Sequence, residues 1–203
     1  MNPTEIKQVL QQLGGGANKT LGQHFLIDFA ALKAIVVAAE IQAGDQVLEI
    51  GPGLGVLTDA LLQAGASVRA IEQDRRYIGY LEERFRSYGS RFRVIYGDAS
   101  RLSWQEALDP GPWKLVSNLP YSITSLALRL GLWSSALPEK IVVLIQREVA
   151  ERATSVASDM PKGVKGKTSL LSLMIALATT ERRIIKRVAA GAFFPPPKVE
   201  SAI

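Results

Sequence analysis

The sequence of 203 residues contains no cysteine and a single histidine, His24. The absence of cysteine excludes disulfides, thiolate metal sites and a cysteine nucleophile. One histidine argues against a zinc site, which needs several nitrogen or sulfur ligands, and against a Ser-His-Asp triad. We therefore expect no metal centre, and we expect the chemistry to depend on a reagent that the protein borrows as a cofactor.

Long hydrophobic runs are also missing. The most apolar segment, residues 170–178, has about half of the roughly 20 residues that a membrane-spanning helix needs. Residues 1–16 lack the positively charged start and the apolar centre of a secretory signal. With 47% hydrophobic residues, the chain is predicted to be a cytoplasmic globular protein without a membrane partner.

The formal net charge of +5 is unevenly distributed along the chain. Residues 160–203 contain eight Lys or Arg and two Glu, so the remainder of the chain is close to neutral. A one-sided basic surface attracts a polyanion, because neutralised phosphates release their counterions. We therefore expect a nucleic-acid partner, and the candidate RNA contacts are Lys162, Lys165, Lys167, Arg182, Arg183 and Lys198.

From residue 45 onward, short apolar runs alternate with amphipathic segments. This alternation is typical of an α/β fold in which helices cover both faces of a mostly parallel sheet. The predicted strands are residues 46–50, 67–72, 92–96, 114–118 and 140–146, and the predicted helices between them are residues 57–64, 74–88 and 122–133. Ligands of such sheets bind at the carboxyl ends of the strands, here marked by Gly51, Glu72, Asp98 and Asn118.

Beyond the fifth strand, the pattern predicts a helix over residues 148–154, a charged loop over 155–167 and an apolar helix over 168–180. A sixth strand is predicted over residues 183–188. Three consecutive prolines at 195–197 then impose an extended, rigid turn, because proline fixes φ and lacks an N–H donor.

The first predicted strand runs into a glycine-rich turn with the spacing Gly51-x-Gly53-x-Gly55. Glycine allows a ligand to approach the backbone closely. A nicotinamide or flavin dinucleotide would favour the spacing G-x-G-x-x-G for its pyrophosphate, so a nicotinamide oxidoreductase is disfavoured. S-adenosylmethionine contains no phosphate, and the turn need only admit its amino-acid end and its sulfonium.

Two acids at strand ends extend the predicted cofactor site. Glu72 ends the second strand, where its carboxylate can accept hydrogen bonds from both ribose hydroxyls; the alternative is an ordinary helix-capping acid. Asp98 follows the third strand and can accept from the amino group of the cofactor adenine, while the Ala99 backbone contacts a ring nitrogen; the alternative is a residue that only starts a turn. Their register with the glycine turn favours the cofactor roles, and Gly53 and Gln73 complete the predicted set.

The fourth strand ends in Asn118, Leu119, Pro120 and Tyr121. An aromatic amine is a weak nucleophile because its lone pair is shared with the ring. Acceptors for both of its N–H groups, here the Asn118 side-chain oxygen and a backbone carbonyl such as that of Leu119, favour a more localised lone pair. Pro120 stiffens the turn, and Tyr121 offers a flat face to a base taken out of its stack. This segment predicts methylation of a nucleic-acid adenine; the alternative is that Asn118 caps the next helix and Tyr121 is core.

The sequence also resembles a known family, the KsgA-type small-subunit ribosomal RNA adenine dimethyltransferases, in the group that includes the Erm resistance methyltransferases. The resemblance runs through residues 21–28, 49–53, 118–121, 146–152 and 193–202, and it covers nearly the whole chain. It implies a Rossmann-like class I methyltransferase fold with S-adenosylmethionine as the cofactor. We therefore expect residues 1–44 to form an amino-terminal helical segment and cofactor lid, and residues 45–203 to form the catalytic domain.

The resemblance also implies roles for individual residues. Gln23, His24 and Leu26 would close over the cofactor, and Phe193 would provide a second stacking surface for the target adenine. The other implied roles agree with those inferred above: Gly51 lines the cofactor, Glu72 holds its ribose, Asp98 holds its adenine, and Asn118 and Tyr121 grip the target base. Family members usually have asparagine at the position of His24, so the contact would use either its side chain or its backbone; the alternative is a capping or packing histidine.

The substrate is likewise implied by the resemblance alone. The family transfers two methyl groups to N6 of each of two adjacent adenosines near the 3' end of small-subunit (16S) rRNA, which predicts a 30S assembly intermediate as partner and a monomeric enzyme. Leu119 and the proline-rich motif, which comprises residues 193–202, favour this branch over the resistance branch, which acts on large-subunit rRNA. A third alternative is an assembly factor with incidental methylation. Family members continue past residue 202 into a last strand and a helical domain, so we expect a truncated last strand and no helical domain here.

Overall fold

The computed structural model describes residues 1–18, 21–155 and 170–203. The α-helices are α1 (Pro3–Gln12), α2 (Phe29–Ala38), α3 (Val56–Gln63), α4 (Arg75–Arg84), α5 (Trp104–Ala107), α6 (Thr124–Leu132), α7 (Arg147–Thr154) and α8 (Leu170–Ala178). The strands are β1 (Phe25–Leu26), β2 (Gln46–Ile50), β3 (Ser67–Glu72), β4 (Phe92–Tyr96), β5 (Trp113–Asn118), β6 (Lys140–Gln146), β7 (Arg187–Val188), β8 (Phe193–Phe194) and β9 (Ser201–Ala202).

The main sheet has the strand order β4-β3-β2-β5-β6-β9-β7. The strands β4, β3, β2, β5 and β6 are mutually parallel, whereas β9 lies antiparallel to both of its neighbours. From β2 the chain proceeds outward to β3 and β4, and it then returns to place β5 on the other side of β2. The carboxyl ends of β2 and β5 therefore flank a switch point, where parallel sheets of this kind bind their ligands.

Helices cover both faces of the sheet, as the alternating sequence predicted. On β2, Val47 is buried in one core cluster with Ile35 of α2 and Leu61 of α3. The adjacent Leu48 points to the opposite face and is buried in a second cluster with Leu128 of α6. Because both faces of the central strands are covered, their sequences are apolar throughout rather than alternating.

Most predicted elements agree with the structure. Four of the five central strands have the predicted bounds, and β5 begins one residue earlier. The predicted helix over 74–88 is divided into α4 and a following 3₁₀ turn, Arg86–Arg91. The sixth strand is shorter than predicted: β7 covers Arg187–Val188, which pair with β9, and the preceding Ile185 and Lys186 form backbone hydrogen bonds with Ile203. The predicted loop over 155–167 lies almost wholly outside the described residues, as do the first residues of the predicted helix over 168–180.

The amino-terminal residues pack onto the same core as the sheet. Asn2 caps α1 through bonds to the backbone N–H groups of Thr4 and Glu5, and the Glu5 side chain returns a bond to the Asn2 N–H. Ile6 and Leu10 of α1 are buried against the helices on this face. Within the described ranges, no helix is long and apolar enough to span a membrane.

Candidate functional site

A cavity of about 320 Å³ lies at the carboxyl ends of the parallel strands, over the switch point between β2 and β5. Its volume is within the range of small-molecule sites. All but one of the residues predicted for the cofactor and the target base line it: Gln23, His24, Leu26, Gly51, Gly53, Glu72, Gln73, Asp98, Ala99, Asn118, Leu119, Pro120 and Tyr121. The strand-end pattern therefore identified one contiguous site.

The glycine turn after β2 permits close packing around the cavity. Gly51 and Gly53 have φ values of 69° and 58°, in the left-handed region that favours glycine. A Cβ atom on Gly51 would lie 3.2 Å from Cγ of Pro120, and one on Gly53 would lie 3.1 Å from the ring of Phe25. Glycine at these positions thus brings the turn against the target-base segment on one side and against β1 on the other.

Glu72 is buried at the end of β3, with 5% of its surface exposed. One carboxylate oxygen accepts from the Gly53 N–H at 3.0 Å, and the other accepts from the Asp74 N–H at 2.7 Å. Burial raises its pKa above the ordinary value, opposed by these bonds. The carboxylate lines the cavity and orders the turn before α4, whose N-cap is Asp74 rather than Glu72.

Glu49, one residue before the end of β2, also lines the cavity and received no role in the sequence interpretation. It is 1% exposed, and the Thr58 hydroxyl of α3 donates to its carboxyl group at 2.6 Å. Burial raises the pKa of Glu49 to about 8. The signal in the sequence was an acid between the apolar residues Leu48 and Ile50.

Asp98 lies beyond β4 and is partly exposed. It accepts from the Ser100 N–H at 2.8 Å and pairs with Arg101 at 3.5 Å. Hydrogen bonds from Ser100 lower the pKa of Asp98, so the group is a carboxylate at neutral pH. Its backbone carbonyl accepts from Arg101 and Leu102, which makes Asp98 a turn residue as well as part of the cavity wall.

Asn118 ends β5 with its side chain held across the cavity. Its amide nitrogen donates to the backbone carbonyl of His24 at 3.2 Å. This bond orients the carboxamide, and its oxygen is the end that can accept a hydrogen bond from an amine. Neither the following 3₁₀ turn nor α6 has a side-chain N-cap bond, which contradicts the alternative that Asn118 is a helix cap.

His24 and Tyr121 connect this segment to the proline-rich motif. The two rings lie 6.0 Å apart at an angle of 29°. Nδ1 of His24 lies 2.7 Å from the carbonyl oxygen of Pro195, and the Tyr121 hydroxyl lies 2.6 Å from Oγ of Ser201. The His24 side chain thus binds the proline-rich motif, while its backbone carbonyl positions Asn118.

Phe193, which the resemblance implies as a second stacking surface for the target adenine, lies in the core in this structure. Phe193 is 2% exposed and is absent from the cavity lining. It pairs with Leu26 through the two-stranded β1–β8 ladder, and its ring is buried in the core cluster beneath β1. The next residue, Phe194, is less buried, and the Lys7 ammonium lies 5.4 Å from the centre of its ring.

The predicted RNA contacts do not form one surface with the cavity. Lys162, Lys165 and Lys167 lie outside the described residues. Arg182 and Arg183 line a second cavity that runs along β6, and neither lines the first cavity. Lys198 is exposed within the proline-rich motif. In the part of the chain that the structure describes, no group of acidic and histidine side chains could hold a metal ion.

Comparisons with known proteins agree with this architecture. A dimethyladenosine transferase from Plasmodium falciparum superposes with a TM-score of 0.75 at 30% identity, over 88% of this chain and 61% of that protein. The 23S rRNA methyltransferase ErmE gives a TM-score of 0.72 at 29% identity, over 88% of this chain and 67% of that protein. Fold and cavity together define a Rossmann-like methyltransferase domain.

Sequence comparisons define the family more narrowly. A family model described as ribosomal RNA adenine dimethylase matches residues 15–203. Ribosomal RNA small subunit methyltransferase A of Dehalococcoides mccartyi is 41% identical over 200 residues, which are 98% of this chain and 65% of that protein. The protein of the same description from Phenylobacterium zucineum is 38% identical over 98% of this chain and 67% of that protein. The chain belongs to the ribosomal RNA adenine dimethylase family and spans about two thirds of the length of these relatives.

Proposed function

We propose that this chain contains the active site for dimethylation, from S-adenosylmethionine, of N6 of two adjacent adenosines near the 3' end of small-subunit rRNA. The whole protein would act as a monomer, in the cytoplasm, on an assembly intermediate of the small subunit. The observation that carries the proposal is the orientation of Asn118, whose amide nitrogen is bound to His24 while its oxygen is available at the cavity. The family and the descriptions of its relatives support this substrate class.

The residues present fit S-adenosylmethionine, which when bound supplies an electrophilic methyl group. Glu72 would accept from the ribose hydroxyls, and Asp98 would accept from the adenine amino group. Gly51 and Gly53 allow the remainder of the molecule to approach the backbone. The buried Glu49 adds a second carboxyl group to the cavity near the end of β2.

The target amine would be held by acceptors rather than by a strong base. The Asn118 oxygen and the backbone carbonyl of Leu119 can each accept one N–H of the adenine amino group. The neighbouring carbonyl of Pro120 is already bonded to the Ile123 N–H at 3.1 Å, which leaves Leu119 as the better second acceptor. With both N–H groups bound, the nitrogen lone pair is more localised and can face the methyl donor.

The test is transfer of tritium from labelled S-adenosylmethionine to small subunits that lack these methyl groups, with the full-length protein. Asn118→Ala should lower the rate by about 100-fold, typical for loss of a hydrogen bond that stabilises a transition state. Asn2→Ala is the matched control, because it removes the same side chain at the start of α1, away from the cavity. Absence of transfer by the unmodified protein, with cofactor binding intact, would refute the proposal.

Large-subunit rRNA is the second candidate substrate, favoured by the structural similarity to ErmE. Offering both under-methylated subunits in parallel separates the two, since our proposal expects label in the small subunit only. An assembly factor with incidental methylation is distinguished by Asn118→Ala in cells. If that variant loses methylation but supports normal ribosome maturation, binding is the primary role.

A further inference from the structure

The cavity wall formed by residues 21–26 is attached to the first turn of α4 through Gln23. The Gln23 side-chain oxygen accepts from the Tyr77 hydroxyl at 2.8 Å and from the Asn18 N–H at 2.7 Å. Its amide nitrogen donates to the Asp74 carboxylate at 2.8 Å. We call Gln23, Asp74 and Tyr77 the latch. The latch binds both the oxygen and the nitrogen of the Gln23 carboxamide, so this side chain attaches the wall to α4.

The latch is continuous with the predicted ribose acceptor. The backbone N–H of Asp74 donates to one oxygen of Glu72, and the backbone N–H of Gly53 donates to the other. A single series of hydrogen bonds therefore runs from the wall, through the cap of α4, to Glu72 and the glycine turn. Displacement of Gln23 would disturb the position of Asp74 and, through it, the carboxylate that faces the cavity.

Loss of the hydrogen bonds of the latch would be unfavourable, because two of its three residues are buried. Tyr77 is fully buried and Asp74 is 7% exposed, so water does not readily replace a missing partner. Asp74 is further fixed by the Arg76 guanidinium at 2.6 Å, and Arg76 also reaches the Gly16 carbonyl at 3.4 Å. Side chains at the start of α4 therefore contact the chain at Gly16, before the wall, and at Gln23, within it.

We propose that Gln23, Asp74 and Tyr77 are positioning residues that hold the wall in its cofactor-binding position, so that the latch determines cofactor affinity and not the rate of methyl transfer. A segment that is already ordered loses less conformational entropy on binding. The other end of the wall is held independently by the β1–β8 ladder and by the His24–Pro195 contact, which preserve the position of Asn118. This inference rests on the proposed function.

Two variants disturb the hydrogen bonds of the latch to different degrees. Tyr77→Phe keeps the ring and removes one hydroxyl, and we expect the Kd for S-adenosylmethionine to rise about 5- to 10-fold, the equivalent of one hydrogen bond. Gln23→Glu places a carboxylate against Asp74 and should raise the Kd further. The kcat on small subunits should stay within about twofold while KM for the cofactor rises in parallel with Kd. Tyr88→Phe, the same substitution beyond the end of α4, is the control and should leave Kd unchanged.

Hydrogen exchange provides a readout that does not depend on turnover. Without cofactor, the amides of residues 21–26 should exchange faster in Tyr77→Phe than in the unmodified protein, and saturating cofactor should restore their protection. The exchange of β2 and β5 should not change. An unchanged Kd in both variants, or a fall in kcat at constant Kd, would overturn the latch.

Failure of the latch and failure of the proposed function give different results. If the unmodified protein binds S-adenosylmethionine but methylates no rRNA, the proposed function is refuted, and calorimetry still decides the latch. If it methylates rRNA and both variants bind the cofactor normally, only the latch is refuted. If it binds no S-adenosylmethionine, both are refuted.

Discussion

The buried carboxyl group of Glu49 predicts an unusual dependence of stability on pH. Burial raises its pKa from the ordinary 4.5 to about 8 in the folded protein. Between these values the folded protein retains a proton that the unfolded chain has lost, so the free energy of unfolding falls as pH rises through this window. The two pKa values differ by about 3.5, and at about 1.4 kcal/mol for each pH unit this corresponds to a loss of at most about 5 kcal/mol.

Glu49→Gln should remove most of this dependence, because a carboxamide resembles the protonated acid and its oxygen can still accept from the Thr58 hydroxyl. Near pH 5 the variant and the unmodified protein should have similar stability, whereas near pH 8 the variant should be more stable by several kcal/mol. Glu72, whose pKa is also raised, leaves a smaller residual slope. The lowered pKa values of Asp74 and Asp98 act at more acidic pH and do not contribute in this window.

The measurement is urea unfolding followed by tryptophan fluorescence, repeated at intervals between about pH 5 and about pH 8. Glu82→Gln, the same substitution on the exposed surface of α4, is the matched control and should keep the slope of the unmodified protein. Equal slopes for Glu49→Gln and the unmodified protein would refute the argument, since they would show that Glu49 does not hold a proton in the folded state.

Three further predictions concern the packing around the cavity. Gly55→Ala should destabilise the protein by about 2–4 kcal/mol in urea unfolding, because φ is +77° and the new Cβ would lie 2.6 Å from the Phe85 ring; a loss below about 0.5 kcal/mol would contradict this. Ser117→Ala should cost about 1–3 kcal/mol, since its hydroxyl donates at 2.6 Å to a buried carbonyl of β2; unchanged stability would contradict it. Tyr121→Phe loses the bond to Ser201 and should lower methyl transfer about 10-fold while stability falls by only about 1 kcal/mol; full activity would show that the bond does not orient the ring.

The central sheet was predictable because its strands are short, apolar and separated by amphipathic helices. The site followed from the same pattern, since parallel strands bring their carboxyl ends to one edge whatever their separation along the chain. Gly51, Glu72, Asp98 and Asn118 therefore met in one cavity without any knowledge of their contacts. The shortening of the sixth strand was not predictable, because backbone pairing with β9 decides its length and hydropathy does not report on pairing.

Side-chain direction and position in the fold separate Phe193, Arg182 and Arg183 from the cavity. Phe193 belongs to the matching proline-rich motif, but in the structure its two-residue ladder with β1 turns the ring into the core. Arg182 and Arg183 share charge and proximity in sequence with Lys198, yet they line the second cavity, whereas Lys198 does not and lies just before β9. Net charge over a segment predicts a kind of partner, and it does not predict which face the partner meets.

The latch shows why a motif can be found from sequence while its mechanism cannot. Gln23 and Asp74 are separated by 51 positions, and no local pattern relates a glutamine before β1 to an acid that caps α4. The sequence interpretation gave Gln23 a cofactor contact and left Asp74 without a role beyond the start of a helix. In the structure, hydrogen bonds connect Gln23 to Asp74 and Asp74 to Glu72, which also accepts from the Gly53 N–H. The residues around such a site are thus of two kinds. Some lie in the cavity because they end a strand, and hydrophobic periodicity locates these in the sequence. Others hold the first kind in position through long-range contacts, which periodicity does not reveal.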